Sequence, residues 1–443
     1  MPDLYHIATM GCQMNERDSE TVAGVLQALG LQPTDDPAQA RVAVLNTCAV
    51  REKPEHKVYS RLGELARLKQ RRPDMVIAVC GCVAQVAAED LRRRAPYVDL
   101  IIGPRNLADL GPAVEAALAS SCFTLSTDAD ACPDASLPAA RAPGVSAFVN
   151  ISVGCDNFCA YCIVPYARGR EISRPAEEIV REVEGLVADG THEVMLLGQN
   201  VNSYRGPSQS SVPTSFPDLL RLVGQTDGLW RLRFTTSHPK DLSEELLQAM
   251  AETPSACEHL HLPIQAGDDD VLARMGRGYT YAHYKGLVDR AREIMPDLAV
   301  TTDVMVGFPG ETEAQFERTL RAFAETRYDQ AFMFKYSDRR GTRAETMPDK
   351  VSEADKQSRL ARLVALQNET SRAINRAQVG RTFEVLVEGH DAKHPEKLRG
   401  RTRQNKLMVF DGPAELIGTL VSVTAHEGFL WGFTGELFGG AAL

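Results

Sequence analysis

The sequence predicts an α/β protein of three parts: an N-terminal open parallel-sheet domain, a (βα)6 partial-barrel core and a small C-terminal antiparallel β-barrel. Two successive alternations of apolar runs with helical patterns indicate the first two parts. Short strands separated by Gly, Pro and Asp indicate the third. The length of 443 residues suits about three domains of roughly 150 residues each. We place them at 1–119, 144–375 and 376–443, with a linker at 120–143.

The N-terminal part alternates buried strands with helices. Apolar runs predict strands at 4–9, 42–46, 75–80 and 98–102. Helical spacing occurs between and after them, at 19–29, 53–71, 86–94 and 107–119. A strand–helix alternation of this kind builds a parallel sheet covered by helices on both faces.

The linker, rich in Ser, Ala, Asp and Pro, separates this domain from a second strand–helix series. Strands of that series are predicted at 147–153, 193–197, 230–236, 259–264, 298–306 and 330–336. Six such units make a partial barrel, and folds of this type place their chemistry at the C-terminal ends of the strands. A long helix over 352–378 leads into the terminal strands.

Composition restricts the class of protein. Hydrophobic residues make up 44% of the chain and charged residues 24%, as in a globular protein with a sizeable core. No apolar run approaches the roughly 20 residues needed to span a bilayer, and the first residues lack the features of a signal peptide. We therefore expect a cytoplasmic protein without a membrane segment. The net charge of −10 argues against a surface that coats nucleic acid, although a local basic patch is compatible with it.

The loop "GCDNFCAYC" (154–162) holds Cys155, Cys159 and Cys162. In a long cytosolic chain, cysteines beside glycine and aromatic residues indicate metal or redox work rather than disulfides. Three thiolates on a four-iron cluster leave one iron open to a ligand with an amino and a carboxylate group. The alternatives are a zinc site with its fourth ligand elsewhere and a set of unligated thiols.

Three further cysteines follow predicted strands of the N-terminal domain. Cys12 lies in "MGCQMN", Cys48 in "NTCAVRE" and Cys82 in "CGCVAQ". Because the C-terminal ends of parallel strands share one edge of a sheet, these cysteines can converge on a second cluster with a second open iron. The alternative for each is a small buried core residue. The other cysteines are expected to be packing or incidental residues: Cys80 and Cys257 in the interior, Cys122 and Cys132 in the linker.

The C-x3-C-x-aromatic-C pattern resembles the radical S-adenosylmethionine (SAM) superfamily. That resemblance implies that the open iron binds the methionine end of SAM, whose reductive cleavage releases a 5′-deoxyadenosyl radical. It also implies that Tyr161 sits near the adenine, while Gly198, Gln199 and Asn200 in "LLGQN" contact the methionine amine. Asp303, in "DVMVGFPGE", would line the same pocket. Ordinary strand-end turns are the alternative for these last two stretches.

The order of the three domains gives a more specific resemblance. The chain resembles the methylthiotransferase family and, within it, the MiaB type. Matching stretches include "GCQMN", "NTCAVREK", "YCIVPYARGRE", "LLGQNVNSY" and "RMGRGYT". The resemblance implies two [4Fe-4S] clusters, SAM and a terminal barrel of the RNA-binding TRAM type. The implied reaction adds a methylthio group to carbon 2 of N6-isopentenyladenosine next to the anticodon of tRNA. Siblings act on threonylcarbamoyladenosine in tRNA or on an aspartate of a ribosomal protein.

The same resemblance implies how the cofactors share the work. One SAM methylates sulfur bound at the auxiliary cluster of the second trio, and the radical from another SAM removes hydrogen from carbon 2 of the adenine, where the methylthio group is added. An external electron donor and a sulfur source are needed, and we expect a monomer that binds the tRNA anticodon stem-loop. No side chain is assigned as a catalytic acid or base. The rival hypothesis is a non-catalytic protein that carries clusters and contacts RNA.

Two basic segments are candidates for RNA contact. The stretch "KHPEKLRGRTRQNK" (393–406) has six Lys and Arg residues against one Glu, which favours phosphate contact over a solvated hairpin. Near the first cysteine loop, Arg168, Arg170 and Arg174 either meet RNA phosphates or form ion pairs with Glu171. For His238 in "TTSHP" we expect a structural hydrogen bond rather than a catalytic role.

Overall fold

The computed structural model describes residues 3–49, 52–120, 122–134, 136–208 and 212–442. They form an N-terminal α/β domain, a larger α/β core and a closed terminal barrel, in that order along the chain. None of the described helices is long and apolar enough to cross a membrane. Short 3-10 helices also occur, at Leu107–Asp109, Val201–Ser203, Pro239–Asp241, Arg343–Thr346 and Ala414–Leu416.

The N-terminal domain is the predicted open sheet. Its elements are β1 (Leu4–Thr9), α1 (Gln13–Ala28), β2 (Gln32–Pro33), β3 (Val42–Thr47), α2 (Glu52–Arg71), β4 (Val76–Gly81), α3 (Cys82–Val86), α4 (Ala88–Arg94), β5 (Leu100–Ile102), α5 (Leu110–Ser120) and β6 (Thr124–Ser126). The strands pair in parallel, in the order β2-β1-β3-β4-β5-β6. β3 and β4 are buried along their whole length, as expected for strands covered by helices on both faces. The order reverses between β1 and β3, and such a switch point opens a crevice beyond the strand ends.

The four strands predicted in this domain are confirmed, with their ends displaced by at most two positions. The short strands β2 and β6, and the break at Ala87 between α3 and α4, were not predicted. The linker is also more ordered than its composition indicates, because β6 extends the sheet beyond β5. Further along, Ala140 N donates to Glu20 O of α1 at 2.9 Å, so the linker lies against the N-terminal domain.

The core is the predicted partial barrel. Its elements are β7 (Ser146–Asn150), β8 (Ser152–Val153), α6 (Val164–Arg168), β9 (Ile172–Ser173), α7 (Ala176–Ala188), β10 (Glu193–Leu197), β11 (Arg205–Gly206), β12 (Thr214–Ser215), α8 (Phe216–Gly224), β13 (Arg231–Phe234), α9 (Glu244–Glu252), β14 (His259–His261), α10 (Asp269–Met275), α11 (Tyr281–Ile294), β15 (Ala299–Val306), α12 (Glu313–Thr326), β16 (Gln330–Lys335) and α13 (Glu353–Arg376). The six predicted strands are confirmed, although the first is broken into β7 and β8. They lie in sequence order as two parallel sheets, β7-β10-β13 and β14-β15-β16.

The two faces of the core strands differ in polarity. Because successive side chains of a strand point to opposite faces, Leu232 and Val300 pack into the apolar layer under the helices. Their neighbours Arg233, His261 and Thr301 are polar and buried on the other face. The inner face of the partial barrel therefore carries polar side chains.

The terminal barrel closes with five strands: β17 (Thr382–His390), β18 (Leu398–Thr402), β19 (Leu407–Phe410), β20 (Leu420–Phe429) and β21 (Gly432–Ala442). Their order around the barrel is β17-β18-β19-β21-β20. The predicted antiparallel barrel is confirmed in four of its five strand pairings, and the fifth, between β19 and β21, is parallel. An odd number of strands cannot close into a ring of antiparallel pairs alone, so one parallel pairing is required.

Two buried arginines fasten the terminal barrel to the core. Arg231 and Arg233 of β13 donate to backbone carbonyls of the barrel, at Arg401 O (2.5 Å), Thr402 O (2.8 Å) and Arg403 O (2.7 Å). Arg231 begins β13, so the barrel covers the N-terminal ends of the core strands. The C-terminal mouth, where chemistry is expected, lies at the other end.

A single carboxylate joins the N-terminal domain, the linker and the core. Glu182 of α7 accepts hydrogen bonds from Arg17 at 3.3 Å, Arg141 at 2.9 Å and Arg174 at 2.8 Å. These arginines come from α1, the linker and the core, respectively. Ile163, just before α6, also packs into the apolar core of the N-terminal domain. The first cysteine loop is thereby held against that domain.

Candidate functional site

The first cysteine trio lies in the loop between β8 and α6, at the C-terminal mouth of the core. Cys155 N donates to Gly169 O at 3.1 Å, which ties the loop to its own exit. Backbone amides point at two of the sulfurs, Asn157 N at Cys155 Sγ and Val164 N at Cys162 Sγ, each at 3.5 Å. Donors of this kind stabilise thiolate and tune a cluster bound to it.

Arg277 supplies the donor to the third sulfur. Its Nη1 lies 3.3 Å from Cys159 Sγ, its Nη2 donates to Pro263 O at 3.3 Å, and its Nε donates to the Tyr279 hydroxyl at 3.1 Å. Arg277 is 5% exposed, so the charge is fixed inside the protein. Arg277 lies in the stretch "RMGRGYT", and its contact with Cys159 was not predicted. The signal was a basic residue between two glycines, which is weak on its own.

Two thiols of this loop, those of Cys155 and Cys162, are less acidic than a free cysteine thiol. Burial raises the pKa of the Cys155 thiol, and burial raises the pKa of Cys162 to about 12, with the neighbouring cysteines adding to the shift. A coordinated metal removes the proton from such a thiol. The binding of a cluster here therefore releases protons.

The second trio comes together as the strand order predicts. Cys12 caps the start of α1 after β1, Cys48 follows β3, and Cys82 begins α3 after β4. A Cβ on Gly11 would lie 3.1 Å from Cys48 Sγ, and the Cys48 thiol is hydrogen-bonded to the Cys12 sulfur. The three cysteines thus lie at the ends of adjacent strands, beside the switch point of the sheet.

The electrostatics of the second trio centre on Arg168, the last residue of α6. The hydrogen bond from Cys48 lowers the pKa of Cys12, burial opposes this shift, and the Arg168 charge adds to it. Burial raises the pKa of Cys82, and the charge of Arg168 partly offsets the rise. A guanidinium from the core therefore stabilises negative sulfur in the N-terminal domain.

The remaining cysteines have the surroundings expected of them. Cys80, within β4, and Cys257 are buried, and burial raises the pKa of both thiols, that of Cys80 to about 12. Cys122 and Cys132 are exposed in the linker. No disulfide joins cysteines within the described ranges. The interior positions of Cys80 and Cys257 confirm the packing prediction.

Two predicted SAM contacts adjoin the start of the first cysteine loop. Gly198 O accepts from Thr236 Oγ1 at 2.6 Å, and a Cβ on Gly198 would come within 2.6 Å of Ser152 Oγ. The Gln199 side-chain carbonyl accepts from Gly154 N, one residue before Cys155. The end of β10 and the cysteine loop are therefore in direct contact, and a side chain at Gly198 would fill the space between them.

The other predicted SAM contacts line the same mouth. Asn200 is 2% exposed and donates to Asp241 Oδ2 at 2.7 Å. Tyr161 packs against the core, and burial raises its pKa well above the usual range, opposed by the nearby Arg277. Asp303, on β15, lies 3.6 Å from His261 and opposite Phe332 of β16.

Three sequence families match the chain. Residues 4–103 match the uncharacterized protein family UPF0004, residues 149–323 the radical SAM superfamily, and residues 376–431 the TRAM domain. Two relatives named tRNA-2-methylthio-N(6)-dimethylallyladenosine synthase are similar over nearly their full length. The relative from Carboxydothermus hydrogenoformans is 47% identical over 98% of this chain and 99% of its own. The relative from Moorella thermoacetica is 48% identical over 98% of both chains.

The chain belongs to the tRNA-2-methylthio-N(6)-dimethylallyladenosine synthase family. The family resemblance drawn from its cysteine motifs is confirmed, and the chain is an enzyme of the radical SAM superfamily. Among solved structures, the radical S-adenosylmethionine methyltransferase TsrM from Kitasatospora setae, with cobalamin and a [4Fe-4S] cluster bound, has a similar fold. Its TM-score is 0.58 at 15% sequence identity, over 78% of this chain and 74% of TsrM.

Membership of the radical SAM superfamily implies SAM and a [4Fe-4S] cluster, and the mouth of the core fits SAM. Several buried polar atoms there find no hydrogen-bond partner among the residues that the structure describes. They are Asn150 Oδ1, Ser152 Oγ, Asn200 Oδ1, Ser237 Oγ and His238 Nε2. Unpaired buried polar atoms are costly, so they mark a place where a polar ligand completes the hydrogen bonds. Amide, hydroxyl and imidazole groups suit the amino, carboxylate and ribose groups of SAM.

The two cysteine trios have the donor atoms that a cluster needs. Within the described ranges, no group of three or more His, Cys, Asp or Glu side chains is arranged to hold a single metal ion. Cysteine thiolates are the usual ligands of iron–sulfur clusters, so the chemistry of each trio fits such a group.

His238 makes the expected structural hydrogen bond. Its Nδ1 accepts from Lys240 N at 3.2 Å, at the start of a 3-10 helix beyond β13. Burial lowers the pKa of His238 to about 2, and the charges of Arg277 and Lys240 add to the shift. The imidazole is therefore neutral near pH 7 and serves as a cap, as predicted.

The arginines after the first loop pair with carboxylates other than Glu171. The pairs are Arg168 with Asp18 at 2.6 Å, Arg170 with Asp156 at 2.7 Å and Arg174 with Glu182 at 2.8 Å. The prediction of pairing with Glu171 is wrong, because Glu171 accepts instead from Ser203 Oγ at 2.6 Å. Phosphate contact is also wrong for Arg168, whose side chain is 3% exposed, whereas Arg170 is 69% exposed.

The basic stretch of the terminal barrel faces the core in part. Arg403 pairs with Glu258 at 2.8 Å, and the buried Lys406 pairs with Asp329 at 2.7 Å. Both residues hold the barrel against the core strands, so they are not free to meet RNA. Lys393, at the other end of the stretch, is exposed. The basic surface available to RNA in this enzyme is therefore smaller than the charge count indicates.

Proposed function

We propose that this enzyme adds a methylthio group to carbon 2 of N6-isopentenyladenosine next to the anticodon of tRNA. The similarity to synthases named for this product, at 47–48% identity over nearly the whole chain, carries the proposal. The two cysteine trios support it, because they lie close together. Helix α6 begins just after the first trio and ends at Arg168, whose charge acts on Cys82 of the second trio. A terminal barrel that matches the TRAM domain adds a module suited to RNA.

The trios are proposed to hold two [4Fe-4S] clusters. Cys155, Cys159 and Cys162 would hold the radical-forming cluster, and Cys12, Cys48 and Cys82 the auxiliary one. Three thiolates leave one iron of each cluster open to an external ligand. When bound, the clusters and SAM supply the electron, the radical and the methylthio group.

The chain's own residues position and enclose these reactants. Gly198 leaves the space that a Cβ would fill, and Gln199 fixes the start of the cysteine loop through Gly154. Asn200 offers its unpaired Oδ1 to a donor such as the methionine amine. Tyr161 and Asp303 are also proposed to line this SAM pocket.

Phe332 offers a surface for the substrate base. Its ring, on β16, is 52% exposed and lies edge-on to His261 with 6.0 Å between ring centres. His261 is hydrogen-bonded to Thr301 at 2.9 Å, which fixes the imidazole on β14. An exposed aromatic ring beside polar groups is suited to stack on an adenine splayed out of a single-stranded loop. We assign Phe332 this contact with the base.

The partners follow from the proposed reaction. The tRNA anticodon stem-loop is the substrate, and exposed basic residues such as Arg170 and Lys393 are the proposed phosphate contacts. An external electron donor and a sulfur source are required by the chemistry. A monomer is sufficient, because one chain carries both trios and the terminal barrel. We propose that the enzyme acts in the cytoplasm, where it would meet its tRNA substrate.

The test is nucleoside analysis of tRNA from a deletion strain. We expect 2-methylthio-N6-isopentenyladenosine to disappear and N6-isopentenyladenosine to accumulate, with rescue by the native gene and not by Cys155→Ala. Unchanged 2-methylthio content, or a loss confined to threonylcarbamoyladenosine derivatives, would refute the substrate assignment. Formation of 5′-deoxyadenosine from SAM and dithionite by the reconstituted protein tests the non-catalytic rival directly.

A further inference from the structure

Arg168 is a core residue whose side chain lies inside the N-terminal domain. It is the last residue of α6, which begins shortly after Cys162, and its side chain is 3% exposed. Ile163 and Ala167 of the same segment belong to the apolar core of the N-terminal domain. The segment is thus packed in place, and the guanidinium has no freedom to turn towards solvent.

The contacts of Arg168 bring its charge to the second trio. Its Nη2 donates to Asp18 Oδ2 at 2.6 Å and to Asn15 Oδ1 at 3.1 Å. The same Asn15 Oδ1 accepts from the Cys12 thiol at 3.6 Å, so the guanidinium lies beside the second trio. Its charge acts on both Cys82 and Cys12. An ion pair that served only to join the domains would need the contact with Asp18 and not the shared contact with Asn15 beside Cys12.

A fixed charge beside a cluster changes its reduction potential. Reduction adds a negative charge, so a nearby cation stabilises the reduced form and a nearby anion destabilises it. Arg168 and Asp18 face the same sulfurs with opposite sign, and both are largely buried, where screening by water is weak. Removal of either partner therefore leaves the other charge uncompensated near the cluster.

We propose that Arg168 is a positioning residue that sets the reduction potential of the auxiliary cluster, acting against Asp18. The proposal rests on the proposed function, because it requires a cluster on Cys12, Cys48 and Cys82. A residue of the core would thereby influence the reduction potential of a cluster held by the N-terminal domain.

The test is a redox titration of full-length, reconstituted protein followed by electron paramagnetic resonance. Alanine at Cys155, Cys159 and Cys162 leaves the auxiliary cluster as the only signal. In that background, Arg168→Gln is expected to shift the midpoint potential to more negative values and Asp18→Asn to more positive values. Arg168→Lys, which keeps the charge, is expected to stay close to the parent.

The opposite signs separate electrostatics from structure. Arg168→Gln and Asp18→Asn remove the same ion pair, so a purely structural role would move the potential in the same direction or not at all, and either result overturns the inference. If Arg168→Gln binds no iron, the isosteric Asp18→Asn still decides the sign. Arg170→Gln is the matched control, since Arg170 is exposed and pairs with Asp156, and no shift is expected.

The failure of this inference is distinguishable from that of the proposed function. If the background protein with its intact second trio binds no iron–sulfur cluster, the two-cluster proposal itself falls. If it binds a cluster whose potential is the same with and without Arg168, only the role of Arg168 falls.

Discussion

The two cysteine trios are built in different ways. Cys155, Cys159 and Cys162 lie within one loop, and their spacing is a property of the local sequence. Cys12, Cys48 and Cys82 come from three strand ends and approach only because β1, β3 and β4 are neighbours in the sheet. The first trio can therefore form in any fold that exposes the loop, whereas the second requires the correct topology of the whole domain.

One local device is common to both trios. Gly81 before Cys82 has φ +89°, and Gly154 before Cys155 has φ +87°, values that favour glycine. A Cβ on Gly81 would lie 2.4 Å from Thr47 O, and a Cβ on Gly154 would lie 2.1 Å from Arg170 O. In each case the glycine lets a sulfur-bearing residue approach a neighbouring backbone segment. The two sites thus differ in how their cysteines come together. They agree in that a glycine with positive φ directly precedes one cysteine of each trio.

The largest expected effect is the loss of one cluster, with the other retained, when the cysteines of one trio are replaced. Alanine at all three positions of either trio should leave about four of roughly eight irons per chain, because each [4Fe-4S] cluster is bound by its own cysteines. Methylthiolation should be lost in both variants. Iron and sulfide analysis of anaerobically reconstituted protein measures this, and Cys80→Ala is the control that should keep the parental iron content. Equal loss of all iron from either triple variant would contradict independent sites.

Single glycine substitutions should reproduce this separation. Gly81→Ala should reduce occupancy of the auxiliary cluster and Gly154→Ala that of the radical-forming cluster, because each adds a strained φ and a clash with a carbonyl. Electron paramagnetic resonance of the reduced proteins identifies which cluster is missing. Gly185→Ala, in helix α7 with nothing within 4 Å of the added Cβ, is the matched control. Loss of both clusters from either variant would show that the anchors are not local.

The difference between the trios also explains what could be predicted from the sequence. The order of parallel strands is a local pattern repeated along the chain, so it predicted that Cys12, Cys48 and Cys82 approach one another. Arg168 and Arg277 could not be found in this way. Arg168 meets Asp18 across 150 residues, and Arg277 meets Cys159 across 118.

Charge counting failed for a related reason. The stretch 393–406 shows which side chains are basic, but not which side of the barrel packs on the core. Arg403 and Lys406 form ion pairs there with Glu258 and Asp329, acidic residues that lie far away in sequence. The parallel pairing of β19 with β21 was missed because it follows from closure of the barrel, not from any one strand.

A moderate effect is expected at Phe332, the proposed contact with the substrate base. Phe332→Ala should lower kcat/KM for tRNA methylthiolation by about 5- to 150-fold, since stacking of a base on an aromatic ring contributes about 1–3 kcal/mol. Formation of 5′-deoxyadenosine without tRNA should be unchanged, because the ring is not assigned to SAM. Steady-state assays of both products measure the split. Phe123→Ala, at an exposed aromatic of the linker, should leave kcat/KM at the parental value, and an equal loss there would remove the special role of Phe332.

The smallest effect is expected at His238, which lies near Arg277 on the side of the loop trio. Burial lowers its pKa to about 2, whereas in the unfolded chain it titrates near 6.5. The unfolded state therefore binds more protons between these values, and stability from this group is present above about pH 6.5 and falls as the pH drops. His238→Asn keeps a cap for Lys240 N and removes this titration. The free energy of unfolding of the metal-free chain, measured with urea from pH 5 to 7.5, should then vary less with pH. His283→Asn, at an exposed position of α11, should retain the parental pH dependence. A slope in His238→Asn equal to that of the parent would show that His238 accepts a proton in the folded pocket.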